Sequence, residues 1–170
     1  MAITDTNLKW YYSGGTGNTN PNASLGGDIS TTEVGTSIHS LFDRVTGQEA
    51  LDGDIEYRCV FFKNTDADAD GLITPKVFIQ SNSSSVDTVL AIALDPAGKN
   101  ASATTIGAEG TTPTGPTFTT PTDYAGGLAL PTAPYAQNDY VGIWIRRTVT
   151  ALAGSSASDA ATLRVQGDTI

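Results

Sequence analysis

The chain has 170 residues, 39% of them hydrophobic and 16% charged, with 9 Lys+Arg against 18 Asp+Glu for a formal net charge of −9. That length suits one domain with one good core. The acidic balance excludes a nucleic-acid backbone or an anionic membrane surface as partner, because like charges would have to be drawn together.

Charge is scarce, and 18 Gly and 25 Thr stand in its place. Small, β-branched and turn-forming residues point away from helix bundles and towards short strands joined by turns. Met1 to Asp5 lacks the charged start and apolar run of a signal peptide. The longest apolar stretches, such as 89–94, fall far short of a membrane span. A single cysteine, Cys59, allows no intrachain disulfide and agrees with synthesis in a reducing compartment.

In chain order, a strand is predicted over 9–12, where Trp10, Tyr11 and Tyr12 cannot all point inward. They are read either as packing residues or as an anchor for a protein or a sugar. Residues 13–27 (SGGTGNTNPNASLGG) hold almost no apolar side chains, so they need a surface to order against. Short strands follow at 29–32 and 40–43, then one turn of helix within 45–51.

Residues 54–63 give the clearest strand: Ile55, Tyr57, Cys59 and Phe61 alternate with Glu56, Arg58, Val60 and Phe62. Its first half is expected to have one wet face and its second half to be buried on both. Strands are also predicted at 76–80 and at 88–94, where Leu90, Ile92 and Leu94 alternate with Ala91 and Ala93. Residues 95–116 form a second long loop rich in Gly and Thr, of a length that is functional or disordered in most compact domains. Short strands at 117–119 and 128–130 precede a strong one at 141–149. A connector at 151–159 then leads to a last strand at 161–166.

Eight to ten short strands without a helical stripe predict an all-β antiparallel sandwich, a single domain over 1–170, with its last two strands as neighbours. The loops at 13–27 and 95–116 are expected to be contact arms completed by neighbouring subunits, and so protease-sensitive in the free protein.

Few motifs carry chemistry. Asp66, Asp68, Asp70 and Gly71 match the start of a calcium loop, but the twelfth position is Val77 rather than a bidentate Glu, and Pro75 blocks an exiting helix. The plain reading is a solvated acidic loop. His39, the single histidine, has Ser37, Ser40 and Asp43 as sequence neighbours but no nucleophile elbow, and is read as a surface residue. Cys59 lies mid-strand among apolar neighbours and reads as buried and inert; one Cys and one His exclude a zinc site. Residues 14–17 (GGTG) lack the Lys-Ser/Thr of a phosphate loop. Arg146 and Arg147 must point to opposite faces of their strand, one onto acidic side chains and the other over an aromatic such as Trp144 or Tyr57. No residue is assigned a catalytic, cofactor-binding or metal role, and the chain is read as non-enzymatic, without a cofactor.

Several segments carry a resemblance. Residues 53–64 (GDIEYRCVFFKN), 140–149 (YVGIWIRRTV) and 160–169 (AATLRVQGDT), with 13–15 and 20–27, resemble structural proteins of tailed bacteriophages. The resemblance implies a β-sandwich virion protein without enzymatic activity, assembled in the host cytoplasm. It points first to a decoration (cement) protein on the outer head shell, and otherwise to a part of the tail or neck. The implied partners are the major capsid protein or other virion proteins, together with further copies of the chain, as in a trimer. The residues alone also leave open a carbohydrate-binding or adhesion module built on Trp10, Tyr11, Tyr12 and the acidic run.

Overall fold

A computed structural model describes residues 3–67, 71–156 and 159–169. It contains eight strands: β1 (Leu8–Ser13), β2 (Ile29–Glu33), β3 (Asp54–Asn64), β4 (Ile73–Ser81), β5 (Thr88–Lys99), β6 (Leu128–Ala129), β7 (Tyr140–Val149) and β8 (Thr162–Asp168). They form two antiparallel sheets, β2-β1-β3-β7-β5 and β6-β4-β8. The sandwich expected from the sequence is therefore present. Residues 40–43 are not a strand but part of a strap, and 117–119 contribute a single bridge from Thr119 to Ile92.

From β3 onward the chain changes sheet at every connection. The last two strands are thus not neighbours: β7 lies between β3 and β5, and β8 pairs with β4 in the other sheet. The reason lies in their faces. Val141, Ile143 and Ile145 of β7 point at the second sheet, and Val165 of β8 points back at them across the shared core.

The centre is the β3–β7 pair, in register from Asp54 opposite Val149 to Lys63 opposite Tyr140. Alternation sends Val60 and Phe62 inward, onto Val77 and Ile79 of β4. The other set, Tyr57, Cys59 and Phe61, joins Trp144 and Ala93 on the outer face. That face is not wet. Ala103, Ile106 and Phe118 from the segment after β5 cover it. Small residues make room for them: a Cβ on Gly142 would sit 3.2 Å from the Cβ of Ala103. Trp144 is fully buried there and donates its Nε1–H to Asp95 Oδ2 at 2.8 Å.

Residues 95–99, expected in the second long loop, extend β5 instead, with a bulge between Leu94 and Lys99; the rest of that loop and the first one both find their surface within the chain. β1 pairs with β3 only from Val60 to Asn64, so the earlier half of that β3 edge lacks a strand partner. The loops take it over: Tyr57 N donates to Glu109 O and Cys59 N to Ser24 O, each at 2.8 Å. They also bridge each other, with Gly27 N to Ala103 O at 3.0 Å and Ala103 N to Gly27 O at 2.9 Å. An unpaired buried N–H is costly, and these carbonyls remove that cost. The expectation of arms completed by neighbours is corrected accordingly: the completing surface is β3.

The one α-helix among the described residues, α1 (Gly47–Asp52), follows from its ends. Thr46 and Glu49 form a reciprocal capping box, and Gly53 at φ 80° stops the helix one residue before β3 begins.

Gly26 marks where the loops meet. It sits at φ +93°, and a Cβ there would lie 1.8 Å from Thr104 O. Gly26→Ala is expected to cost about 2 kcal/mol or more, read as a shifted urea midpoint. Limited proteolysis of the free wild-type protein should leave 13–27 and 95–116 uncut.

Candidate functional site

The three-stranded sheet covers only part of the inner face of its partner. Beside β8 the remainder is roofed by the strap 34–46, leaving a cleft of about 980 Å³. Trp10, Val60, Leu90, Ile145 and Val149 from the large sheet and Leu163 from β8 give it apolar walls, while Arg147, Asp43, Ser83 and Ser85 add polar groups. The strap is tied down at several points. Tyr12 Oη donates to Ser40 O at 2.6 Å, Val34 N donates to Trp10 O at 2.8 Å, and Leu41 and Phe42 pack on the core.

The strongest tie is a group of charges on the inner face. Glu56 of β3 stands directly across from Arg147 of β7, and the two form an ion pair. Arg147 also donates to Asp43 O at 2.8 Å and faces the Asp43 carboxylate at 3.6 Å. Arg58 donates to Glu109 Oε2 at 2.5 Å and to Asn22 Oδ1 at 3.1 Å, so both long loops reach round the β3 edge to meet it. Phe42 lies under both guanidinium groups, 5.5 Å from Arg58 and 4.8 Å from Arg147.

Glu56 is 2% exposed and Arg58 0%. The wet face expected for the first half of β3 is therefore absent; the strap and the loops close over it. Burial pushes the Glu56 carboxyl up to about 7, against the pull of Arg147.

Carboxylate oxygens of Asp43, Glu56 and Glu109 come within 4.8 Å of one another. The set is not a cation cradle, because the ion pairs from Arg147 and Arg58 already supply the positive charge that a metal would bring. Its chemistry is that of a clasp: five charged groups join β3, β7, the strap and the loop after β5. The sequence signal for it was two charged residues, Glu56 and Arg58, alternating with apolar ones on the most apolar strand. Asp43 and Glu109 carry no such signal, since only the fold brings them there.

The other singled-out residues fall apart in space. Trp10 faces inward against Phe62 at 5.9 Å, Tyr12 is buried, and Tyr11 is half-buried on the outer face with Lys63 over its ring at 5.8 Å. They form no exposed aromatic platform. Arg146 lies 5.3 Å from the Phe118 ring, so the aromatic partners of the two arginines are Phe118 and Phe42 rather than Trp144 or Tyr57. His39 is exposed on the strap at φ 61°. Cys59 is fully buried, and burial pushes its thiol well above the ordinary range, so it is not a thiolate nucleophile. Asp66 Oδ2 accepts from Thr4 N at 3.2 Å and Asn7 Nδ2 at 2.7 Å, while Asp68 and Asp70 lie outside the described residues.

Compared with protein-family models, curated proteins and solved structures, the chain matches none.

The clasp sets a pH dependence. The folded carboxyl of Glu56 holds its proton up to about 7, against 4.5 for the ordinary group. Between those values the folded state binds the extra proton, so its contribution to stability is full in acid and is lost as pH rises. Glu56→Gln cannot titrate. The stability of the wild type relative to Glu56→Gln is expected to fall from about pH 4.5 to about pH 7 and to be flat outside that window. Urea denaturation of both proteins across pH checks it.

Proposed function

We propose that this chain is a non-enzymatic structural protein of a tailed-phage virion, a decoration (cement) protein that binds and stabilises the outer head shell. Its partners are the major capsid protein or a neighbouring virion protein, and further copies of itself, arranged as a trimer about a local axis of the shell. The protein is assembled in the host cytoplasm and carried in the particle.

The observation that carries this reading is that both long loops are folded in advance onto β3. A body whose loops are already ordered loses little conformational entropy on docking. Modest contacts repeated across a symmetric lattice then add to firm attachment. The net charge of −9 suits a surface turned away from packaged DNA. The segments that resemble phage structural proteins also lie in the scaffold. They contribute β3, β7, β8 and much of the loop that closes over β3.

Disassembled virions are expected to contain this chain at stoichiometric abundance in the head fraction. Absence from particles overturns the reading, and recovery only with tails moves the protein to the neck or tail. Mass spectrometry of the separated fractions gives the answer.

A further inference from the structure

Six large apolar side chains stand out as exposed among the described residues: Ile38, Leu51, Ile55, Val86, Val89 and Leu152. Single exposed apolar residues are ordinary. Here five of the six gather at one end of the sandwich, and Ile38 lies on the strap over the adjoining cleft. Leu51 closes α1 just before β3, Val86 precedes β5, and Leu152 follows β7. Those strand ends are in register, since Asp54 and Thr88 both face Val149. Leu152 N donates to Leu51 O, and Thr150 N to Asp87 O, tying the three turns together. One row inward, Ile55 and Val89 flank Thr148 on the outer face. Ile38, on the strap, lines the same cleft as Ala50 and 153–156. Val86 is 92% exposed, Leu152 78% and Ile38 68%.

The charges around this end are mainly acidic. Glu49, Asp52, Asp54, Asp87 and Asp159 lie on or beside its turns, against exposed Arg44, half-buried Arg146 one row further in and exposed Arg164 near the start of β8. Lys9, Lys63 and Lys99 lie at the opposite end, where β3 finishes and β7 begins. Arg147 is near but buried in the clasp.

We propose that this apolar, acid-rimmed end is a docking surface for a different protein, one presenting apolar side chains rimmed by Lys and Arg. The rim excludes the same end of a second copy, because two acidic rims would repel. An apolar centre supplies the area to be removed from water, and the rim sets partner and orientation. The inference rests on the virion reading only in placing that partner in the particle.

Two probes test it on the full chain. One is a short peptide of alternating leucine and lysine; the other alternates leucine and glutamate. Amide shifts of the labelled protein should move at Leu51, Val86 and Leu152 with the first peptide and not with the second. The effect should collapse in about 1 M salt, where charges are screened beyond ~3 Å. Val86→Ser/Leu152→Asn should weaken binding about tenfold, with an unchanged melting temperature. Asp52→Lys should weaken it as well, and does so without removing apolar surface. Shifts centred elsewhere, or variants that bind like the wild type, overturn the proposal.

Particles stripped of this chain separate the two readings. Rebinding of the wild type but not of Val86→Ser/Leu152→Asn supports both. Equal rebinding of the two sinks the surface and leaves the virion role. A wild type that never binds particles, yet maps the lysine peptide to this end, sinks the virion role and leaves the surface.

Discussion

Everything in this molecule depends on β3 being buried on both faces along nearly its whole length. A strand in that position has no solvent to satisfy its polar groups. Its backbone needs partners on both edges, and its side chains need partners above and below. β7 fills one edge completely, and β1 fills only half of the other. The long loops fold as they do because the remaining N–H groups, at Tyr57 and Cys59, require acceptors. The clasp has the same origin: Glu56 and Arg58 sit on this strand and cannot reach water, so Arg147, Asp43 and Glu109 come to them.

The price of such an arrangement is a set of buried charges that hydrophobic residues of equal volume could replace without loss of stability. What the charges add is direction. Glu56 faces Arg147 in one register only, and a one-residue slip of β7 would leave both without a partner. The strap and the loop after β5 share in that selection, because each contributes a carboxylate to one of the two arginines.

Much of this was legible in the sequence. Period-two alternation located β3, β5 and β7 within a few residues, since each has two distinct faces. That one of two adjacent arginines meets acidic side chains followed from their opposite faces on one strand; which of them, Arg147, did not. Topology was not legible, because alternation gives a face and says nothing about which sheet a strand joins; hence β7 and β8 were expected side by side. The loops were misjudged for a related reason. Their composition shows that they cannot order alone, yet the surface they order on is an unfilled backbone edge, and backbone edges leave no mark on side-chain pattern. Asp43 and Glu109 reach the clasp from sequence neighbours unremarkable in themselves.

The alternation of the chain between sheets bears on how the protein can be made. After β3, no strand pairs with the one that follows it. The strand that joins β3 to β5 in the larger sheet, β7, and the main partner of β4, β8, both come from the last third of the chain. A nascent chain emerging from the ribosome can pair β1 with β2 and with the later half of β3, but neither sheet closes until that last third is free. Until then the apolar positions of β3, β4 and β5 that pack on β7 and β8 lack those partners. Sparse charge elsewhere in the chain makes that interval the point at which aggregation competes with folding. The net charge of −9 opposes that aggregation by keeping unfinished chains apart.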